Sequence, residues 1–253
     1  IVDKSFNNDF LNQYHLSIEL SKKTLSYCII DTKKLRCHLL HSVNYNNQED
    51  LSNLLSNDMY ITKKFHSKSI ALSNYPNTLV PEELYNEKDN KKIFELNHEK
   101  AEVILIDNLN NYQIKNIFSI PETLNQTINN LIPNINIKSQ TTILIDYILS
   151  KNYNAEKLTL YIKDNYVNIL IANNNQLIFQ NKFQFSTKED LLFYSLFCIQ
   201  EMNLSPEKID TEIYGNISKS GFQILYEYIR NIQYGNKLKD ISFSNEFHNI
   251  EEH

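Results

Sequence analysis

The feature that most constrains the fold is a pattern that occurs twice. From His15 the chain alternates apolar Leu16, Ile18 and Leu20 with polar Ser17 and Glu19, the period-2 signature of a strand with one buried face. A polar turn, Ser21-Lys22-Lys23-Thr24, leads to a second strand from Leu25 to Ile30, and Asp31 to Lys34 lead to a third from Leu35 to Val43. Gln48-Glu-Asp-Leu-Ser-Asn-Leu-Leu then sets Leu51, Leu54 and Leu55 at helical spacing. The same order returns 142 residues later, where Leu158, Leu160 and Ile162 align with Leu16, Ile18 and Leu20. Asp164-Asn165 is the first turn there, Val167, Ile169 and Ile171 mark the second strand, and Asn173 to Gln176 turn into a third carrying Leu177, Phe179, Phe183 and Phe185. The helix that follows has Ser186 or Thr187 as N-cap and Glu189 or Asp190 near N3, which is capping-box chemistry. At the constant offset, nine of eleven inward positions between Leu16 and Val43 are apolar in both copies; Leu39/Asn181 and His41/Phe183 fail. A constant offset implies turns of equal length and an internal duplication.

Alternating α and β elements follow each copy. Ser67 to Leu72, Val103 to Asp107, Asn116 to Ile120, Ile135 to Lys138 and Thr211 to Tyr214 read as strands, with Ile241-Ser-Phe-Ser as a last one. Pro81-Glu-Glu-Leu and Pro121-Glu-Thr-Leu read as helix starts with Pro at N1, and Ser220 to Asn231 as a helix. Thr141 to Ser150 reads as a helix bridging the halves, with the boundary near residues 139–156. The expected architecture is α/β with two similar lobes, 1–145 and 146–253, each β-β-β-α followed by alternating α and β elements.

Three glycines in 253 residues, Gly215, Gly221 and Gly235, restrict the chemistry. Walker-type, dinucleotide and kinase loops all need Cβ-free residues where backbone meets phosphate. A net charge of −5 argues against a general binder of nucleic acid or anionic membrane. No apolar run reaches the length of about 18 residues that would span a bilayer. Cys28, Cys37 and Cys198 form no Cys-x-x-Cys pair, which fits a reduced, cytoplasmic setting.

The duplicated order resembles the actin-like ATPase superfamily, whose two lobes are each β-β-β-α-β-α-β on a ribonuclease-H-like core. More narrowly, Tyr14-His-Leu-Ser-Ile-Glu-Leu-Ser and Tyr27-Cys-Ile-Ile-Asp are similar to a bacterial family of unknown function with that fold. So are Asn77-Thr-Leu-Val-Pro-Glu-Glu-Leu-Tyr, Asn116-Ile-Phe-Ser-Ile-Pro, Glu189-Asp-Leu-Leu-Phe-Tyr, Tyr214-Gly-Asn-Ile and Tyr228-Ile-Arg-Asn. Active members of the superfamily cradle phosphates and a metal ion with an Asp-x-Gly turn between the first two strands of each lobe. Here the first turn, opening at Ser21, has neither residue, and the second has Asp164 but Tyr166 in the glycine position. The adenosine-side Gly-Gly motif keeps one glycine, in Gly215-Asn216. The resemblance therefore implies a retained fold with degenerate ATPase motifs and no cofactor. The alternative is ATP with magnesium, or a small metabolite, bound between the lobes through Ser21, Asp164, Gly215 and Asn216.

Other chemistry is sparse. Cys37, His38 and His41 sit on one strand, where parity puts His38 opposite the other two and keeps Cys37 and His41 about 13 Å apart, too far to share a metal. A two-metal nuclease would have to converge Glu19, Asp107, Asp146 and Asp164. The helix Leu191 to Ile199 is apolar nearly all round, which fits either a central buried helix or a partner-binding seam through Leu191, Phe193, Tyr194 and Phe197. The expected function is a non-catalytic scaffold or interaction module with a protein partner, no nucleic acid and no membrane insertion, homo-oligomers included.

Overall fold

A computed structural model describes residues 1–235 and 241–247. The chain divides between Ile143 and Leu144 into two compact units, and the segment 241–247 returns to the first.

In the first unit, β1 (Tyr14–Leu20), β2 (Thr24–Asp31) and β3 (Arg36–Asn44) form an antiparallel meander, followed by α1 (Gln48–Asn57). β4 (Ser67–Leu72) returns parallel to β1. β5 (Asn77–Pro81), α2 (Asn90–Glu95), β6 (Val103–Leu109) and β7 (Ile114–Ile120) then build a separate three-stranded sheet, ordered β5-β7-β6. After α3 (Glu122–Leu131), β8 (Asn136–Ser139) completes the main sheet as β3-β2-β1-β4-β8, and α4 (Gln140–Ser150) runs across the division. Pro81-Glu-Glu-Leu yields only a 3-10 turn at Glu82–Leu84, since Pro81 ends β5 instead of opening a helix.

The second unit repeats the plan with β9 (Lys157–Lys163), β10 (Tyr166–Asn173), β11 (Gln176–Gln184), α5 (Lys188–Glu201), β12 (Asp210–Gly215), α6 (Lys219–Tyr228) and β13 (Asn231–Tyr234). Its sheet is ordered β11-β10-β9-β12-β13, the same topology strand for strand. The helix expected to reach Asn231 stops at Tyr228, because Asn231 already pairs with Asp210 in the parallel ladder. Ile241-Ser-Phe-Ser makes a single bridge, Ser242 to Arg36.

The duplication is closer than the constant offset implied, and the offset itself changes. β2 and β10 correspond at 142, but the turn before β11 holds two residues, Asn174 and Asn175, against Thr32 to Leu35 in the first unit. The two mismatched pairs therefore resolve into Leu39/Phe179 and His41/Asn181, both facing the equivalent residues Ile29/Ile171 and Tyr27/Ile169. A β-bulge recurs at the same place, between Ile29 and Ile30 and between Ile171 and Ala172. The bulge also corrects the parity of β3: Cys37 pairs with Ile30 and His41 with Tyr27, so the two lie on opposite faces.

Each unit has its own apolar core, Leu16, Ile18, Leu20, Leu51 and Ile70 in the first and Leu158, Leu160, Ile162, Leu191 and Leu225 in the second. With glycine so rare, asparagine takes most left-handed backbone positions. Among the described residues, six of the nine non-glycine residues at positive φ are Asn, including both residues of the Asn174-Asn175 hairpin turn.

Candidate functional site

The turn between β1 and β2 is closed on itself. Ser21 is buried, and its Oγ accepts the backbone N–H of Lys23 at 3.2 Å and of Thr24 at 2.9 Å. Its own N–H donates to the Thr24 carbonyl at 2.9 Å, and the Tyr45 hydroxyl donates to the Ser21 carbonyl. A phosphate cradled there would have to displace the Ser21 hydroxyl from both amides.

Asp164, Gly215 and Asn216 lie in the second unit, at one end of its sheet. Gly215 pairs with Ile162 in the parallel ladder and the Asn216 N–H donates to the Ile162 carbonyl at 2.7 Å, two residues before Asp164. Asp164 and Asn216 are exposed, with Asp164 at φ 53° in the hairpin turn. Gly215 has a structural reason to be glycine: its φ is +83°, and a Cβ would sit 2.0 Å from the Ile162 carbonyl oxygen. Ser218 then caps α6 by accepting the Gly221 N–H at 3.0 Å.

The four carboxylates considered for a nuclease have different surroundings. Asp107 is buried under the start of α4, accepting the Ser139 N–H at 2.8 Å and the Thr142 hydroxyl at 2.6 Å. Burial pushes its carboxyl above the usual range, against those two hydrogen bonds. Asn116 extends the network to Thr142 at 2.8 Å and to Asn77 at 3.1 Å. Glu19 accepts the Gln140 side-chain amide at 2.9 Å, while Asp146 lies on α4 and Asp164 in its exposed turn. Among the described residues no group of three His, Cys, Asp or Glu side chains could hold a metal ion.

A second buried cluster had no local signal beyond the acids Asp210 and Glu212 in a short strand. Glu212 on β12 takes Lys157 at 3.1 Å and Lys151 at 3.3 Å, together with the hydroxyls of Tyr214 at 2.5 Å and Tyr153 at 3.0 Å. Burial alone would raise the Glu212 carboxyl, but the Tyr214 hydrogen bond and the two ammonium groups hold it at about 2. Lys151 also lies over the rings of Tyr147 and Tyr214, 4.5 and 4.9 Å from their centroids. A carboxylate so firmly ionised is a poor proton carrier near neutral pH, so the cluster fits a structural role.

α5 is not enclosed on all sides. Leu191 is buried and Tyr194 is half-buried, stacked on Phe183 with centroids 4.6 Å apart. Phe193 and Phe197 face solvent at 61% and 45% exposure, with rings stacked at 5.9 Å. The N-terminus carries the expected capping box: Thr187 Oγ1 accepts the Asp190 N–H at 3.1 Å and Asp190 accepts the Thr187 N–H at 3.0 Å.

Comparison with known proteins agrees with this architecture. A Bacteroides thetaiotaomicron protein with an actin-like ATPase fold and unknown function superposes with a TM-score of 0.82 at 22% identity, covering 90% of this chain and 93% of the other. A chain of the PilM–PilN type IV pilus biogenesis complex superposes at 0.64 and 12% identity, covering 94% and 92%. The fold is thus the actin-like one, with two similar lobes. No curated protein matches the sequence. A family model described as "Protein of unknown function (DUF3822)" matches residues 3–232.

Proposed function

Because this chain belongs to the DUF3822 family, whose description assigns no activity, its role has to be argued from its own residues, and we propose a non-catalytic actin-like scaffold or interaction module of the cytoplasm. The observation that carries this reading is the closed first turn, in which Ser21 Oγ takes the Lys23 and Thr24 amides. Tyr166 in place of the second glycine adds to it. Three free thiols, each buried or half-buried, support a reducing compartment, and no helix among the described residues is long and apolar enough to cross a membrane. A protein partner is supported by the exposed Phe193–Phe197 pair and by the pilus complex, in which a protein of this fold is found with a partner.

One observation favours a second reading, a nucleotide or small metabolite held near Asp164, Gly215 and Asn216: Asp164 and Asn216 are both exposed at the same end of the sheet. Calorimetric titration with ATP or ADP plus magnesium decides between them. The scaffold reading expects neither binding heat nor phosphate release. Micromolar binding with hydrolysis lost in Asp164→Ala overturns it, and binding without hydrolysis moves the assignment to the second reading.

A further inference from the structure

The duplication supplies an internal control for α5. α1 and α5 correspond at an offset of 140: N-cap Asn47 matches Thr187, Asp50 matches Asp190, and buried Leu51 matches buried Leu191. Burial agrees along the solvent face too, where Asn53 and Asn57 are exposed, as are Phe193 and Phe197. In the first unit that ridge is polar, with the Asn57 side chain donating to the Asn53 carbonyl at 2.9 Å. The fold is therefore satisfied by asparagine at both positions. Two phenylalanines at the same exposure contribute little to the core and add apolar surface in water.

The charges around the ridge select among occupants. Exposed Glu189 and Glu201 stand at its two ends, about 18 Å apart along the helix at roughly 1.5 Å per residue. Lys188 lies 3.9 Å from Glu189, an exposed pair that neutralises only that end in part. An antiparallel pairing of α5 with a second copy that sets Phe193 against Phe197 also sets Glu189 against Glu201, like against like. Basic groups at both ends relieve that repulsion.

Building on the interaction reading above, we infer that the Phe193–Phe197 ridge of α5 docks a partner protein whose surface offers an apolar slot flanked at both ends by lysine or arginine. The two rings fill the slot as its buried centre and the glutamates sit on its rim. The recognition chemistry is aromatic burial for affinity and end-to-end charge for selection.

The test uses the full chain and two synthetic amphipathic helical peptides with the same leucine face, one ending in lysines and one in glutamates. Anisotropy titration is expected to show the lysine-ended peptide binding at least tenfold more tightly. Phe193→Asn with Phe197→Asn, which installs the residues of the first unit, is expected to abolish binding without lowering the melting temperature. Glu189→Lys with Glu201→Lys is expected to reverse the peptide preference, which separates a local effect from general attraction to an acidic protein. Equal binding of both peptides, or binding that survives the double asparagine variant, overturns the proposal. So does light scattering that finds a dimer dissociated by that variant, because the occupant is then a second copy. Hydrolysis of ATP would overturn the scaffold reading and leave these outcomes unchanged.

Discussion

The Arg36 guanidinium grips Asp3 through one oxygen, with Nη2 2.7 Å and Nε 2.8 Å from Oδ2, and so ties the N-terminal segment to the edge of β3. The other oxygen accepts the N–H and hydroxyl of Ser5 at 2.7 and 2.8 Å. Backbone bonds follow the same edge: the Asp3 N–H donates to the His38 carbonyl at 2.8 Å and the Leu40 N–H to the Ile1 carbonyl at 3.0 Å.

Asp3 predicts a loss of stability in acid. Burial raises its carboxyl, but Ser5 and Arg36 outweigh that and hold it at about 2, below its ordinary 3.8. The contribution is complete above the unfolded value and disappears as pH falls toward 2. It is at most about 2 kcal/mol at 1.36 per pKa unit, reduced because the Arg36 side chain is partly exposed. Urea unfolding of wild type and Asp3→Asn should converge as pH drops from about 4 to 2. A constant gap between them would refute the assignment.

His38 acts in a higher window. Its ring is 3% exposed, lies 5.0 Å from Tyr14 and 6.0 Å from Phe6, and neither nitrogen has a hydrogen-bond partner. Burial lowers its pKa from 6.5; Asp3 and Asp31 oppose the shift, whereas Arg36 and Lys34 reinforce it. The unfolded chain therefore takes up the proton first, and stability declines as pH falls below about 6.5. His38→Leu should reduce the slope between about pH 7 and 5, leaving the part due to His15, whose pKa burial also lowers, while Asp3→Asn retains the whole of it. Identical slopes in His38→Leu and wild type would show that the ring does not titrate this way.

The residues that were legible in sequence are those whose neighbours are close along the chain. β1, β2, β9 and β10 follow from alternation, and the Thr187–Asp190 capping box from its spacing. The recurrent bulge was hidden because it adds one residue without changing composition, and that residue was enough to put Cys37 and His41 on opposite faces. β5 and β13 are five and four residues long, too short to display a period. Of the candidate site, Asp164 and Gly215-Asn216 come from the motifs of the superfamily that the chain resembles, and the structure puts them at one end of the second sheet. Ser21 closing its own turn could not be foreseen, since a hydroxyl in a polar turn reads the same whether free or engaged. The Glu212 cluster joins Lys151 to residues 61 and 63 positions away, and no local pattern encodes that meeting.

Gly215 and Gly221 predict responses of very different size to the same substitution. At Gly215 an added Cβ meets the Ile162 backbone at 2.0 Å with φ at +83°, so Gly215→Ala should cost more than about 3 kcal/mol and loosen the β9–β12 ladder. At Gly221 the new carbon comes to 3.1 Å from Ile217 Cγ1 and Ser218 Oγ, side-chain atoms that need yield only a few tenths of an ångström, and a helix-propensity gain of at most about 1 kcal/mol offsets that crowding. Thermal melts should separate the two variants widely; equal melting temperatures would contradict the close approach at Ile162.

Glu212 is the most heavily engaged buried charge of the second unit, and its replacement should be the most costly of these changes. Glu212→Gln leaves Lys157, whose side chain is 9% exposed, without a counter-charge, and replaces one of two engaged carboxylate oxygens by an amide NH2, so either Lys157 or the Tyr214 and Tyr153 hydroxyls lose their acceptor. Breaking one side of a buried ion pair costs about 3–5 kcal/mol. Glu212→Gln with Lys157→Met removes the more deeply buried pair and should recover much of that loss, because the cation left behind, Lys151, has a side chain 21% exposed to water. A double variant no more stable than Glu212→Gln would mean that Tyr214 and Tyr153, rather than Lys157, carry the energy of the cluster. Urea unfolding at neutral pH, where Glu212 held at about 2 is fully ionised, measures this directly.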